Sequence, residues 1–364
     1  MFPKASEQAI LIVDGRRFTD WETVQVRMAL KEHPYYSYRF TASEGMPLAR
    51  NWAALRIIPG MECTVILAGE HAVTGLVNSR QVFFDARRHH IEIQGSNLTS
   101  GLASAAAITK TGEFKDVTYA QFAEALVKPL GIKFLTEGGT LPTDRFPRIS
   151  ITPGESILDA LEMPLRSLGS FSFTSNNAGD LVVAVGPAGG DDTVYEGDLG
   201  RPSILEGREI IFNMGMANGI YSTMGSKPGT DEEWGAKVAS VPYYATQFPS
   251  LAGKYAPQAQ VLEIPAWSKA HLQGRGAADR DWQSEDMITI FATVQGWLRP
   301  SGGLWQRNQT VHVVSPMLVM DGALPLTVKT ATFTQDDQTG TRTTLELVNP
   351  LALGGLIPQG PGGG

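Results

Sequence analysis

Three pairs of adjacent carboxylates, Asp191-Asp192, Glu232-Glu233 and Asp336-Asp337, offer this chain its most direct route to chemistry. Two carboxylates facing each other across a cleft are enough for glycoside hydrolysis. All three pairs fall in turn-like sequence, where solvated turn residues are the plainer reading. Trp234, Trp282, Trp297 and Trp305 add flat faces on which sugar rings could stack, with core or interface packing as the alternative. For Trp297 and Trp305 packing is preferred. Trp297 ends one strand, Pro300-Ser-Gly-Gly303 turns the chain, and Trp305 packs as the next strand approaches. That next strand carries Val311 and Val313 on one face and stops at Pro316.

His89-His90 suggests a metal, but neighbours on a strand point to opposite faces and cannot chelate one ion together. The single Cys63 excludes an intramolecular disulfide and a cysteine-based zinc cluster. It sits in an apolar stretch, residues 62–68, and reads as a buried structural thiol. Asn97-Leu-Thr99 and Asn308-Gln-Thr310 match glycosylation acceptors by chance, since no export signal accompanies them. No P-loop, Gly-x-Gly-x-x-Gly after a strand, His-Glu-x-x-His or Gly-x-Ser-x-Gly is present. The expectation is a non-enzyme, with no catalytic, cofactor-binding or metal-binding residue and no cofactor.

The elements that would position any site are short. Glycine (39) and proline (22) are spread between short apolar runs in a chain that is 42% hydrophobic and 18% charged. Such punctuation fits a turn-rich, mainly β, folded soluble protein. The formal charge of −7 argues against wholesale electrostatic binding of nucleic acid. No stretch of about 18 apolar residues suggests a membrane span, and no basic and apolar leader suggests Sec export.

Strands are expected near 9–14, 21–28, 36–40, 63–68, 72–77, 81–85 and 90–94, with close separations typical of a small antiparallel barrel. Trp21, Thr23 and Gln25 oppose Val24, Val26 and Met28; Tyr36, Tyr38 and Phe40 repeat at period two. From about residue 113 the period becomes helical. Thr118 and Gln121 form a capping box, and Phe122, Leu126 and Val127 share a face. A second helix is expected to start at Thr152-Pro-Gly-Glu155, with Thr152 as cap and Pro153 in the first turn. It carries Ile157, Leu158, Leu161, Leu165 and Leu168 inward, is kinked or shortened by Pro164, and ends at Gly169. A hairpin spans 170–185, and residues 186–192 form a linker. Strands return near 209–213, 219–223, 287–294, 309–314, 326–333 and 341–348. The polar stretch at about 225–285 reads as long loops or an insertion.

Several stretches carry a resemblance. They are Val13-Asp-Gly-Arg-Arg-Phe-Thr-Asp-Trp-Glu-Thr-Val-Gln-Val26, Pro59-Gly-Met-Glu-Cys-Thr-Val65, Val73-Thr-Gly-Leu-Val77 and His90-Ile-Glu-Ile93, running on through Gln94 to Ala103. With them go Trp297 through Pro316, Phe333 and Gly340-Thr-Arg-Thr-Thr-Leu-Glu-Leu-Val-Asn-Pro350. Together they resemble the phage Mu-type baseplate hub proteins of contractile tails. Gly95-Ser96 departs from that family's usual Gly-Arg after the fourth strand, and the 225–285 region has no counterpart pattern.

The resemblance implies a mainly β fold with an α+β insert: two similar small tail-tube-like β-barrels and a small α+β module, assembling as a pseudo-hexameric trimer. The division expected is a first β-barrel at 1–105, the module at 106–190, a second β-barrel at 191–350 with its insertion, and a flexible Gly-rich tail at 351–364. It implies a homotrimeric structural hub, a symmetry adaptor joining the hexameric tail tube protein to the trimeric central spike protein, with other baseplate proteins around it. It further implies a lumen through which DNA passes without specific binding. The place implied is the virion tail baseplate, assembled in the host cytoplasm. Two other classes stay open: a tail-associated peptidoglycan or carbohydrate hydrolase, and the spike-base subunit of a related secretion or injection machine.

Overall fold

The computed structural model describes residues 7–43, 57–85, 89–109, 111–169, 171–197, 203–211, 220–224, 244–247, 258–261, 288–318 and 323–349. The first strands are β1 (Ala9–Val13), β2 (Arg16–Phe18), β3 (Thr23–Ala29) and β4 (Tyr36–Ser43), followed by β5 (Glu62–Leu67), β6 (Glu70–Phe84) and β7 (His89–Asn97). A two-residue turn at Asp14 and Gly15, with φ of 51° and 70°, folds β2 back onto β1. Two positive φ values match the right-handed twist of the flanking strands, which is why Gly stands there. Tyr36, Tyr38 and Phe40 on β4 are buried together with Val24, Val26 and Met28 of β3, as their period-two spacing requires.

β6 is one continuous strand where the sequence reads as two. A register shift between Val77 and Ser79 accommodates the polar residues that looked like a break. Glycine is required where β7 crosses this bulge. A Cβ on Gly95 would lie 2.1 Å from the Tyr38 hydroxyl and 2.2 Å from the Leu76 carbonyl oxygen.

The middle of the chain holds β8 (Glu113–Thr118), α1 (Tyr119–Val127), β9 (Phe134–Glu137), β10 (Arg145–Ser150), α2 (Ile157–Leu168), β11 (Ser172–Ser175) and β12 (Leu181–Ala184). The capping box of α1 is formed. Thr118 Oγ1 accepts from the Gln121 amide at 3.3 Å and Gln121 Oε1 accepts from the Thr118 amide at 3.1 Å. The start of α2 differs from its sequence signal. Thr152–Glu155 closes a turn of its own, the Thr152 amide donating to the Glu155 carboxylate at 2.9 Å, and Ser156 is the cap, accepting from the Asp159 amide at 3.1 Å. Glycine at 154 (φ 90°) lets that turn end before the helix begins. Pro164 lies within α2, which runs on to Leu168 before Gly169 ends it, so the proline does not shorten it. The hairpin β11–β12 is as expected, while β9, which joins β12 in parallel, and the pair β8–β10 carry no clear sequence signal.

The last part holds β13 (Asp192–Glu196), β14 (Ser203–Ile211), β15 (Ile220–Met224), β16 (Tyr244–Gln247), β17 (Gln258–Val261), β18 (Ile288–Gln295), β19 (Thr310–Val314), β20 (Leu324–Asp336) and β21 (Gly340–Val348). Six of these close a barrel in the order β19-β13-β14-β18-β21-β20, with β20 returning to β19. Thr341, Thr343, Leu345 and Leu347 of β21 face its interior. Within the polar 225–285 region, β16 and β17 flank β15 in a separate three-stranded sheet, so that region is not loop alone.

The two β units are not separate layers. β20 pairs with β3 from Gln335↔Val24 to Thr330↔Ala29, which makes one 13-stranded sheet from β2 to β19. In the first unit the strands run β2-β1-β5-β6-β7-β4-β3 without, among the described residues, a pairing that returns β2 to β3. One core cluster joins Leu11, Phe40 and Val65 to Phe122 and Leu161 and on to Val294, Phe333 and Leu347.

Candidate functional site

The densest polar site lies where the three parts of the chain meet, and it is built on the segment after the tryptophan turn. Arg307 is 5% exposed. Its Nη1 donates to both carboxylate oxygens of Glu137 on β9 at 2.8 Å each. Its Nε and Nη2 donate to the Ser175 carbonyl at the end of β11 at 3.1 and 2.9 Å. Next to it Asn308, with φ 65°, donates through Nδ2 to Glu137 at 2.8 Å and to the Gly186 carbonyl at 2.9 Å. The buried Tyr36 of β4 completes the site, its phenol pushed above the ordinary tyrosine range by burial. Burial alone would pull the Arg307 guanidinium down, but Tyr36 and Glu137 hold it above its usual value. A charge so far from water is held only when its donors are satisfied. The arrangement is a clamp rather than an acid–base pair, since a permanently charged guanidinium occupies the carboxylate.

The tryptophan turn is fastened separately. Leu298 and Leu304 bridge across it, the Arg299 amide donates to Gly303 at 2.9 Å, and Gly302 and Gly303 take φ of 97° and 73°. Asp192 at the head of β13 receives the Ser301 amide at 3.1 Å, its hydroxyl at 2.8 Å and Arg299 Nη1 at 3.3 Å. Trp297 and Trp305 are 0% and 1% exposed, and Trp297 Nε1 donates to the Thr334 carbonyl at 3.1 Å. Both rings are therefore core, and neither presents a face to a sugar. The 186–192 stretch is likewise tied down, the Ala188 amide donating to Asn308 at 2.8 Å and the Thr310 amide to Gly189 at 3.2 Å.

The other residues singled out by sequence are dispersed. Asp192 is buried, a correction to its reading as a solvated turn residue, because it caps the tryptophan turn. Asp336 accepts from the Gln338 and Thr339 amides in the β20–β21 turn, which hold its carboxyl below the usual range, and Asp337 is exposed beside it. Glu232, Glu233, Trp234 and Trp282 lie outside the described residues, as does the 351–364 tail. His89 and His90 begin β7, with His90 Nδ1 3.9 Å from Glu22. Cys63 is buried; burial pushes its thiol up to about 11, and the Tyr38 hydroxyl lies 2.8 Å from its sulfur. Asn97 and Asn308 are both fully buried. Among the described residues no group of three or more His, Cys, Asp or Glu side chains is placed to hold a metal ion, and no helix is long and apolar enough to cross a membrane.

Two open grooves accompany these sites. One of about 450 Å³ lies between Lys31, His33 and Tyr35 and the α2 residues Leu158 and Glu162. The other, about 320 Å³, lies on the polar face of β3, β4 and β7 around Arg27, Arg39 and Gln94. There Arg39 is paired with the buried Glu92. Neither brings two free carboxylates together. Sequence reasoning missed Arg307 and Glu137. The one available signal was a charged residue placed between Trp305 and the apolar strand β19.

Residues 8–97 match the family model described as the Mu phage baseplate assembly protein GpP-like N-terminal domain. Residues 99–185 match the second domain of the baseplate hub protein gp44-like family. The chain is 26% identical over 344 residues to the baseplate hub protein gp44 of Escherichia phage Mu, covering 94% of this chain and 88% of that one. Among solved structures it is similar to the 43 kDa tail protein of prophage MuSo2 from Shewanella oneidensis, with a TM-score of 0.76 at 22% identity over 97% of this chain and all (100%) of that one. It is also similar to a tail protein from Neisseria meningitidis, with a TM-score of 0.75 at 18% identity over 95% and 98% of the two chains. A type VI secretion component of E. coli shares the fold more distantly, with a TM-score of 0.58 at 10% identity over 96% of this chain and 79% of that one.

Proposed function

We propose, on the premise that this chain is a phage Mu-type baseplate hub protein, that it is the trimeric symmetry adaptor of a contractile tail. Three copies would present six β units to the hexameric tube while keeping the threefold symmetry of the spike. The observation that carries this reading is the β3–β20 pairing, which sets a seven-stranded first unit beside a closed six-stranded barrel in one sheet. The first unit takes the part of the second barrel in this reading, and the division at 105, 190 and 350 follows it. Tube protein, central spike and other baseplate proteins are the partners. DNA crosses the central lumen without specific binding, which the formal charge of −7 favours. Assembly takes place in the host cytoplasm. The hub has no catalytic centre; the buried carboxylates Asp192 and Glu92 and the half-buried Glu137 are all engaged by arginines.

Light scattering tests the reading. A stable particle near three times 39.3 kDa is expected, and a monodisperse monomer at high concentration refutes it. A turbidity assay on peptidoglycan tests the hydrolase alternative: clearance lost in Glu232→Gln or Glu233→Gln would establish catalysis.

A further inference from the structure

Over β7, β4, β3, β20, β21 and β18 the sheet buries one face in the core and leaves the other polar, without a break at the seam between the two units. Residues directly opposite one another line up in rows across these strands. One row runs Gln94, Arg39, Gln25, Thr334, Arg342 and Gln295. The next, two residues along each strand and so on the same face, runs from Ser96 through Arg27 and Thr332 to Thr293, where Glu206 of β14 extends it. No apolar side chain interrupts either row, and none of the exposed large hydrophobics among the described residues lies on these six strands. A face that docks on protein has an apolar, charge-poor centre; this one has none.

The two rows carry three arginines, and the chain answers each with a carboxylate of its own. Glu92, its side chain 9% exposed, takes Arg39, and the Gln94 amide donates to its other oxygen. Glu32 in the β3–β4 turn takes Arg27, and Glu206 takes Arg342 at 3.0 Å. Lys329 beside them lies 3.5 Å from Glu346 and 3.7 Å from Glu32. A surface that grips nucleic acid offers its arginine donors to phosphate. An arginine already answered brings no net charge to the wall, so a passing phosphate releases no counterions there and gains no hold.

The size of the face suits a duplex. Six strands about 4.8 Å apart and tilted by about 40° wall roughly 38 Å of arc. Three copies would close on the order of 110 Å, a lumen about 36 Å across between backbones, with room for a duplex inside the side chains.

We infer that this face is the wall past which DNA moves, and that Glu92, Glu32 and Glu206 keep its arginines from gripping phosphate. The inference rests on the DNA-conducting trimer proposed above. Glu92→Gln combined with Glu206→Gln keeps the side-chain shapes and frees Arg39 and Arg342. At low salt the double variant should bind a linear DNA duplex that the wild type leaves alone, read by fluorescence anisotropy. With two arginines freed in each of three copies, the affinity should fall roughly a thousandfold between about 50 and 200 mM salt, the dependence of about six phosphate contacts. Glu206→Gln alone, at a side chain 71% exposed where folding is not at stake, should show a gain with about half that salt slope. Glu70→Gln combined with Glu124→Gln makes the same change of charge at exposed positions off this face and should bind no DNA. Closed circular DNA cannot enter a ring, so the Glu92 and Glu206 double variant should ignore it. A trimeric double variant that gains no binding, that takes circles as readily as linear DNA, or that the Glu70 and Glu124 variant matches overturns the wall alone. A wild type that light scattering shows to be monomeric overturns the trimeric reading and the wall with it.

Discussion

Glu137→Gln separates a clamp from an incidental contact. The substitution keeps the shape of the side chain and removes its charge, leaving Arg307 buried with only the Ser175 carbonyl and a neutral amide to receive its donors. Breaking a buried ion pair by removing one partner costs roughly 3–5 kcal/mol. Glu137 keeps 25% of its side chain exposed against 6% for Arg307, so water partly replaces the lost charge and about 3 kcal/mol is expected. With a urea dependence of roughly 3 kcal/mol per molar, the unfolding midpoint falls by about 1 M. The double change Glu137→Leu with Arg307→Met removes both desolvated charges, and it is expected to cost less than the single one. Urea titrations followed by far-ultraviolet dichroism and tryptophan fluorescence give both values. A single variant within about 0.5 kcal/mol of wild type, or a double variant worse than the single, refutes the reasoning.

Trp305→Ala should cost about 3–5 kcal/mol by emptying a fully buried site under the tryptophan turn, read from the same titrations; unchanged stability would return the ring to a surface role. Cys63 should resist alkylation by iodoacetamide at pH 8 in the folded protein and react on unfolding. Its folded pKa, about 11 against an ordinary 9.0, lies above the unfolded value. The unfolded chain therefore releases the proton first, and stability falls between pH 9 and about 11. A Cys63→Ala variant should lose that part of the decline.

Strands with one apolar face were legible in the sequence because burial alone enforces their period: β4 through Tyr36, Tyr38 and Phe40, and β21 through Leu345 and Leu347. The capping box of α1 was legible because its two bonds lie within four residues. Other elements depend on distant partners. β9 has no period to read, with Phe134 half-buried against the core, Glu137 turned to Arg307 and Leu135 41% exposed, and it is a strand because β12 lies beside it. The cap of α2 was misplaced because Thr152 and Glu155 satisfy each other before Ser156 begins the helix. Arg307 and Glu137 lie 170 residues apart, and no spacing rule connects them.

The seam between β3 and β20 also governs when the chain can finish folding. Met28 meets Ala331 across about 300 intervening residues. At roughly 5–20 residues per second of synthesis, about 15–60 s separate the two strands as they leave the ribosome. For that interval the nascent first unit carries β3 paired with β4 on one edge and open on the other, and the barrel likewise waits for β20 and β21 at the far end of the message. Contacts so distant slow the folding search and prolong exposure of unpaired backbone. A ribosome that stalls shortly before residue 324 releases a chain that lacks the joining strand and leaves the edge of β3 open, so premature termination there yields an aggregation-prone fragment rather than a smaller working piece.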